Sequence, residues 1–143
     1  MENKRSVSTL IPYFIKDGEV RVFLQKRSKD AEYRPDQFGL FGGGIEAGET
    51  REQALVREIK EELSIEAKNY EFIGQYESDR IVNNVFVMEV GENFENEVCV
   101  NEGQYGRFFT EKEIMDEPAL TDFHRKRVSD LYDKIKKNKA ESV

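Results

Sequence analysis

The stretch Gly42–Ile65, GGGIEAGETREQALVREIKEELSI, decides how this chain folds. It opens with three consecutive glycines, a composition that indicates backbone conformations or close approaches that a side chain would block. From Thr50 onward the hydrophobic spacing becomes helical, and Thr50 and Gln53 are placed to form a capping box at the helix start. The pattern predicts a glycine-rich segment followed by an amphipathic helix that runs to about Ser64.

Acidic side chains share one face of this predicted helix. At roughly 100° per residue, Glu58, Glu61 and Glu62 fall within a narrow arc. The opposite face is apolar and is formed by Leu55, Val56, Ile59 and Leu63. Neighbouring like charges on a helix repel by about a few tenths of a kcal/mol per pair. Such a face is either solvated or holds a hard divalent cation, which binds carboxylate and carbonyl oxygens and leaves positions for phosphates. The adjacent glycines favour the metal site.

The same stretch resembles the signature of the Nudix hydrolases. That signature is a glycine, five residues, Glu, seven residues, and then Arg-Glu-aliphatic-any-Glu-Glu-any-Gly-aliphatic. The matching positions here are Gly43, Glu49, Arg57, Glu58, Ile59, Glu61, Glu62 and Ile65. Two positions depart from the family pattern. Ser64 stands where glycine is usual, which is expected to change how the helix ends rather than the metal site. Phe41 stands where many members have proline before the glycines. A GLFGGGIE variety of the family has phenylalanine at this position too.

The resemblance implies a fold and a set of roles. The expected fold class is α/β, of the α+β type, with a mixed β-sheet sandwiched between helices in a single domain over residues 1–143. The expected cofactor is Mg²⁺, with Mn²⁺ as the alternative. The implied metal ligands are the Gly42 carbonyl, Glu58, Glu61 and Glu62, with Glu58 or Glu62 as general base. Glu49 and Arg57 would form a supporting pair, although Glu49 could also reach a metal through water, and Gly43 would lie against the substrate.

Further candidates lie outside the signature. Glu102, in NEGQYGRFF, resembles the late acidic residue that many members place on a mobile loop, and would be an auxiliary ligand or base. Arg27 ends the second strand where relatives often carry a basic residue facing the substrate phosphates. Phe38 is a candidate for contact with the nucleotide. Other side chains could contact a base or could equally be core or turn residues, namely Phe23, Tyr76, Asn83, Asn84 and Phe86.

The rest of the chain reads as strands and helices. Two β-rich runs, residues 7–15 and 20–25, flank Asp17-Gly18, which is a strong hairpin signal. Two more strand-like runs cover residues 70–76 and 81–90. A capping box at Thr110 and Glu113 predicts a short helix, and a longer amphipathic helix is expected from about residue 122.

Bulk composition excludes several classes of function. The chain has 143 residues with 29 acidic and 22 basic side chains, for a net charge of −7, so a nucleic-acid polymer or an anionic membrane is an unfavourable partner. A single cysteine, Cys99, and the lack of a signal-peptide pattern indicate a cytoplasmic protein. His124 has no Cys or His partner at metal-site spacing and is interpreted as a surface or capping residue. The sequence leaves open whether the chain forms a homodimer.

Three alternatives follow from the same fold. The resemblance favours a metal-dependent pyrophosphohydrolase for a nucleoside diphosphate linked to another moiety, with a nucleoside triphosphate, oxidised or not, preferred. A nucleotide-sugar or ADP-ribose-type pyrophosphatase is the first alternative. A non-catalytic nucleotide-binding domain is the second, although such domains typically lose the glutamates retained here. A prenyl-diphosphate isomerase is the third, although Cys99 is poorly placed in the sequence for its reactive cysteine.

Overall fold

The computed structural model describes residues 4–32 and 34–141. The strands are β1 (Arg5–Lys16), β2 (Glu19–Lys26), β3 (Phe38–Gly39), β4 (Phe41–Gly44), β5 (Glu71–Glu77), β6 (Ile81–Glu89) and β7 (Tyr105–Thr110). The helices are α1 (Arg51–Leu63), α2 (Phe94–Glu97), α3 (Glu111–Asp116) and α4 (Asp122–Glu141). Across these described residues, no helix combines the length and the apolar character that a membrane span requires.

β1 and β2 form the predicted hairpin, but they separate away from its turn. Asp17 and Gly18 adopt positive φ, at 53° and 78°, as a tight hairpin turn requires. The two strands pair with each other over residues 13–16 and 19–22. Beyond that register, the segment 38–44 lies between them, with β3 paired to the end of β2 and β4 paired to the beginning of β1. The glycine-rich run is therefore a part of the sheet, which its composition did not predict.

The outer edges of this hairpin complete a mixed sheet. β6 runs parallel to β1 from Arg5↔Ile81 to Tyr13↔Glu89, and β5 pairs antiparallel with β6. β7 pairs antiparallel with β2. The two predicted strands over residues 70–76 and 81–90 are confirmed as β5 and β6. β7 was not predicted, because Gly106 and Arg107 interrupt its apolar pattern.

Helices cover both faces of the sheet. Successive residues of a strand point to opposite faces, so neighbours such as Leu10 and Ile11 belong to different cores. One core joins the sheet to α4 and includes Ile11, Val22, Leu24, Val85, Val87, Val128, Leu131 and Ile135. The other joins it to α1 and includes Leu10, Phe23, Phe86, Met88, Leu55, Ile59 and Leu63. The expected fold class, a mixed sheet sandwiched between helices, is confirmed.

The bounds of α1 follow from its capping residues. Thr50 Oγ1 accepts from the Gln53 amide at 3.1 Å, and Gln53 Oε1 accepts from the Thr50 amide at 2.9 Å, so the predicted capping box is confirmed. The helix ends after Leu63, where Ser64 adopts the left-handed conformation with φ 58° and ψ 35°. This helix positions the acidic face, because its apolar side is fixed against the sheet.

Candidate functional site

Two glycines of β4 allow the carboxylates of α1 to approach the backbone. The Gly42 amide donates to Glu62 Oε2 at 3.0 Å. A Cβ on Gly43 would lie only 2.6 Å from the carboxyl carbon of Glu58. Gly42 itself has φ 133°, and a Cβ there would lie 2.1 Å from the Ser8 carbonyl oxygen. The predicted close approach at the glycine run therefore involves the glutamates of the helix that follows it.

Glu62 is a buried carboxylate with an incomplete environment. Its residue is 3% exposed, and its Oε1 is buried with no hydrogen-bond partner. Burial, and in smaller part the negative charge of the nearby Glu102 and Glu58 carboxylates, raises the pKa of Glu62 to about 9. An ionised Glu62 is thus unfavourable until a cation compensates for the lost hydration and the adjacent negative charge.

Arg57 connects the glycine segment to the helix. Its Nε and Nη2 donate to the two carboxylate oxygens of Glu49 at 2.8 and 2.9 Å, and Nη2 also donates to the Gly44 carbonyl at 2.9 Å. Its Nη1 donates to Glu58 Oε1 at 2.9 Å. Hydrogen bonding from Arg57 lowers the pKa of Glu49 to about 2. A bidentate pair of this kind fixes orientation as well as charge, so Glu49 and Arg57 hold the segment before α1 against the helix.

The donor set around Glu62 fits a hard divalent cation. Glu58 and Glu102 lie near enough to raise the pKa of Glu62, and the unsatisfied Oε1 of Glu62 is the kind of oxygen that a cation binds. Glu61 has a side chain that is 60% exposed and lies 3.7 Å from Arg57 Nη1. Within the part of the chain that the structure describes, no three acidic, histidine or cysteine side chains already surround a common point. The carboxylates are therefore neighbours rather than a closed ligand shell.

A basic cluster lies beyond β3. We use this name for Arg27, Arg34, His124 and Arg127. Arg27 Cδ and His124 Nε2 lie 3.7 and 3.8 Å from the position of a Cβ on Gly39, and Arg34 Nη1 lies 3.2 Å from His124 Nε2. The Arg127 guanidinium lies 5.2 Å from the centre of the Tyr76 ring. Three residues of chain, about 10 Å, separate Gly39 from Gly42, so the cluster and the glutamates flank the same segment.

Two members of this cluster, Arg34 and Arg127, were missed in the sequence, and His124 was misread. His124 is half-buried, its amide donates to Thr121 Oγ1 at 3.3 Å, and its Nδ1 is buried without a hydrogen-bond partner. Burial, and in smaller part the positive charge of the adjacent arginines, lowers the pKa of His124 to about 3, so the imidazole is neutral at pH 7. Arg127 is only 2% exposed. The available signal was the i, i+3 spacing of His124 and Arg127, which puts both on one helix face.

Several candidates for contact with a base lie in the cores. Phe38 is 3% exposed, packs edge-on against Phe109 at 4.7 Å, and belongs to the α4 face of the sheet, so it offers little surface to a ligand. Other candidates are also buried or engaged within the protein, namely Phe23, Phe86, Asn83, Asn84 and Tyr76. Cys99 lies in the irregular segment after α2 and is exposed.

The raised pKa of Glu62 predicts a pH-dependent stability without metal. The unfolded carboxyl titrates near its ordinary value of 4.5 and the folded one at about 9, so the unfolded state gives up its proton first. The contribution of this group to stability therefore falls as pH rises through that window. In EDTA at pH 8, we expect Glu62→Gln to be more stable than wild type by at least about 1 kcal/mol. Thermal denaturation from pH 5 to 9 would measure this difference.

Glu61→Gln is the matched control for this prediction. Glu61 lies on the same helix, but its side chain is 60% exposed, so its replacement should leave the pH dependence of the melting temperature unchanged. The advantage of Glu62→Gln should shrink toward pH 5 and should also shrink on adding Mg²⁺ to the wild type, because a ligand of the native state stabilises it. An advantage of the same size at every pH would contradict the buried, protonated carboxyl.

Known proteins are similar to this chain in sequence or in fold. The 8-oxo-dGTP diphosphatase of Escherichia coli strain K12 is 32% identical over 99 residues, covering 67% of this chain and 74% of that protein. The ADP-ribose pyrophosphatase of Methanocaldococcus jannaschii is 44% identical over 59 residues, covering 37% of this chain and 35% of that protein. A crystal structure of a mutT/nudix family protein from Listeria innocua has a TM-score of 0.78 at 19% identity, covering 96% of this chain and 98% of that chain. This last likeness shows the fold.

The family model of the NUDIX domain matches residues 4–131. This range includes all seven strands, the glycine segment and the acidic helix, together with the late segment that contains Glu102. The match and the fold agree with the resemblance of the Gly42–Ile65 stretch. The chain belongs to the Nudix hydrolase family.

Proposed function

We propose that this Nudix hydrolase uses a divalent metal ion to cleave a nucleoside diphosphate linked to another moiety, with a nucleoside triphosphate, oxidised or not, as its substrate. The observation that carries the proposal is the buried carboxylate of Glu62. It accepts a hydrogen bond from the Gly42 amide and lies near Glu58 and Glu102. This arrangement supplies negative oxygen donors beside an open backbone segment. Such a site suits a metal that also binds phosphate.

Glu58, Glu61, Glu62 and the Gly42 carbonyl would hold Mg²⁺, with Mn²⁺ as the alternative. When bound, the ion activates water and offsets the negative charge that develops on phosphate oxygens. Arg57 keeps Glu58 oriented through the bond to its Oε1, and Glu49 keeps Arg57 in place. The glycines exclude side chains from the surface that the phosphates approach.

Hydrolysis requires a group that takes a proton from water. Water attacks a phosphorus atom, the anhydride P–O bond breaks, and the proton passes to a carboxylate. We assign this role to Glu58 or Glu62, which both lie at the glycine segment, and we assign Glu102 to the same site as an auxiliary ligand. A carboxylate with a pKa near the working pH transfers protons most effectively.

Arg27 is proposed to bind the phosphates or the group attached to them. It lies beside Gly39, three residues before Gly42, whose amide donates to Glu62. Hydrogen bonds to charged groups contribute about 1.5–3 kcal/mol, so Arg27→Ala should raise KM by roughly 10-fold or more, with a smaller change in kcat. Lys29→Ala, an exposed cation of the same segment, is the control and should leave KM unchanged. A KM that changes equally in both variants would contradict a specific contact.

Relatives support the choice of substrate class. The preference for a nucleoside triphosphate agrees with the Escherichia coli relative, an 8-oxo-dGTP diphosphatase that matches over two thirds of this chain. The Methanocaldococcus jannaschii relative, an ADP-ribose pyrophosphatase, is more identical but matches a shorter stretch. That stretch makes a nucleotide-sugar or ADP-ribose-type substrate the second candidate.

A substrate panel tests the proposal. The purified protein is incubated with nucleoside triphosphates, 8-oxo-dGTP, ADP-ribose, nucleotide sugars and dinucleoside polyphosphates, with Mg²⁺, with Mn²⁺ and with EDTA. Metal-dependent turnover that is fastest for a triphosphate supports the proposal. Faster cleavage of ADP-ribose or a sugar nucleotide would replace it with the second candidate. Tight nucleotide binding without turnover of any compound would identify a non-catalytic domain.

A further inference from the structure

The segment Cys99–Asn101 closes the C-terminal end of α1. Its backbone amides donate to helix carbonyls, from Cys99 to Leu63 at 3.3 Å and from Asn101 to Glu62 at 2.8 Å. The Asn101 side-chain amide donates to the Glu61 carbonyl at 3.0 Å. The last carbonyls of a helix have no partner within the helix. Here a segment far along the chain provides the donors.

Ser64 adds a contact that a glycine could not make. Its hydroxyl accepts a hydrogen bond from Asn101 Nδ2 at 2.8 Å, so one side-chain amide contacts both the Glu61 carbonyl and Ser64. Ser64 occupies the left-handed conformation, with φ 58°, in which glycine is less strained than serine. The serine is therefore a poorer residue for ending the helix, but it provides an anchor for Asn101.

Asn101 directly precedes Glu102, and the other side of Glu102 is also fixed. The Gln104 amide donates to the Lys26 carbonyl at 2.8 Å, and Gln104 Nε2 donates to the Arg27 carbonyl at 2.8 Å. Gly103 lies between Glu102 and Gln104, and a Cβ on it would be 2.6 Å from the Lys26 carbonyl oxygen. Glu102 is thus held between the end of α1 and the end of β2, one residue after the Asn101 amide that donates to the Glu62 carbonyl.

We propose that Ser64 is a positioning residue, which together with Asn101 holds the carboxylate of Glu102 at the metal-binding glutamates. The inference rests on the proposed function, because it assigns Glu102 to the same metal site. In this chain, the segment that carries the auxiliary carboxylate is attached to the helix that carries the other ligands. Ser64 acts through Asn101 and is not itself assigned as a metal ligand.

Metal affinity without substrate tests the role of Ser64. Mn²⁺ binding to the purified protein is measured by calorimetry and by the paramagnetic signal of free Mn²⁺. Loss of outer contacts to metal ligands typically weakens affinity by about 10-fold or more, so we expect Ser64→Gly and Asn101→Ala each to weaken Mn²⁺ binding by about 10-fold. Ser64→Gly should leave the melting temperature equal or higher, because glycine suits the left-handed conformation. A general loss of structure cannot produce this combination.

Asp17→Gly is the matched control. It places glycine at another left-handed position, φ 53°, in the β1–β2 turn, and should leave Mn²⁺ affinity unchanged. Combining Ser64→Gly with Glu102→Gln completes the test. Glu102→Gln alone should weaken Mn²⁺ binding, and Ser64→Gly should then add no further loss, because its effect passes through Glu102.

Independent, additive losses would overturn the proposal, as would wild-type affinity in Ser64→Gly and Asn101→Ala. Wild-type affinity in Glu102→Gln would overturn it as well, by removing Glu102 from the metal site. These outcomes are measured without substrate. A protein that binds Mn²⁺ as expected but turns over no nucleotide would contradict the proposed function while supporting the role of Ser64.

Discussion

Replacing Glu62 with glutamine is expected to lower kcat by at least about 100-fold, the scale on which an acid-base or metal-positioning group acts. In the wild type, the Gly42 amide donates a hydrogen bond to Glu62 Oε2 at 3.0 Å. The side-chain oxygen of glutamine can still accept this hydrogen bond, but it carries no negative charge. The loss should therefore follow from the missing charge and not from a displaced β4. Glu58→Gln is expected to have an effect of similar size. Initial rates at saturating substrate and Mg²⁺ would measure both.

Glu52→Gln is the control for these two rates. Glu52 lies in the first turn of the same helix, pairs with Arg51 and has a side chain that is 44% exposed. Its replacement changes the net charge by the same amount and should leave kcat unchanged. Wild-type rates in both Glu62→Gln and Glu58→Gln would overturn the assignment of the site, although the fold would stand.

Gly42→Ala is expected to have the largest effect on stability. An added Cβ would lie 2.1 Å from the Ser8 carbonyl oxygen and 2.7 Å from Thr9 Cα, at a backbone φ of 133° that side chains rarely adopt. Both contacts are with the backbone of β1, so β4 has to move away from its partner strand. We expect a loss of about 3 kcal/mol or more in the free energy of unfolding. Urea denaturation followed by circular dichroism would measure it.

Gly48→Ala separates conformational strain from steric overlap. Gly48 also has a positive φ, 83°, but a Cβ there would meet no atom within 4 Å. Its replacement should cost about 1 kcal/mol, which reflects the left-handed backbone alone. Equal losses in the two variants would show that overlap with β1 contributes nothing, and the close packing of β4 at this position would then be wrong.

Local patterns made α1 predictable. The capping box, the apolar side with Leu55 and Ile59, and the acidic side all lie within a few turns of one helix, so periodicity alone identifies them. The two hairpin strands were equally accessible, because the Asp17-Gly18 turn and its flanking β-rich runs are adjacent in the chain. The Nudix signature then supplied roles that periodicity could not supply.

Contacts between distant segments were not predictable. β3 and β4 are rich in glycine, which disfavours strands, and they form because both arms of the hairpin provide pairing partners. Phe38 is buried because α4, from the far end of the chain, packs on the sheet. His124 is a residue of α4 and is half-buried by the same packing. The bond between Ser64 and Asn101 joins residues with no shared pattern, so Ser64 could only be recognised as a departure from the family.

The separated β1–β2 hairpin also bears on how the protein forms during synthesis. β1 pairs with β4 and β2 on one edge and with the much later β6 on the other. Pairings across long sequence separations form slowly, because a large loop must close first. The strand that supports Gly42 therefore stays open along one edge until Glu89 has left the ribosome, and Glu102 follows later still. A nascent chain that already carries the complete Nudix signature should gain the proposed metal affinity only when the later strands have joined the sheet.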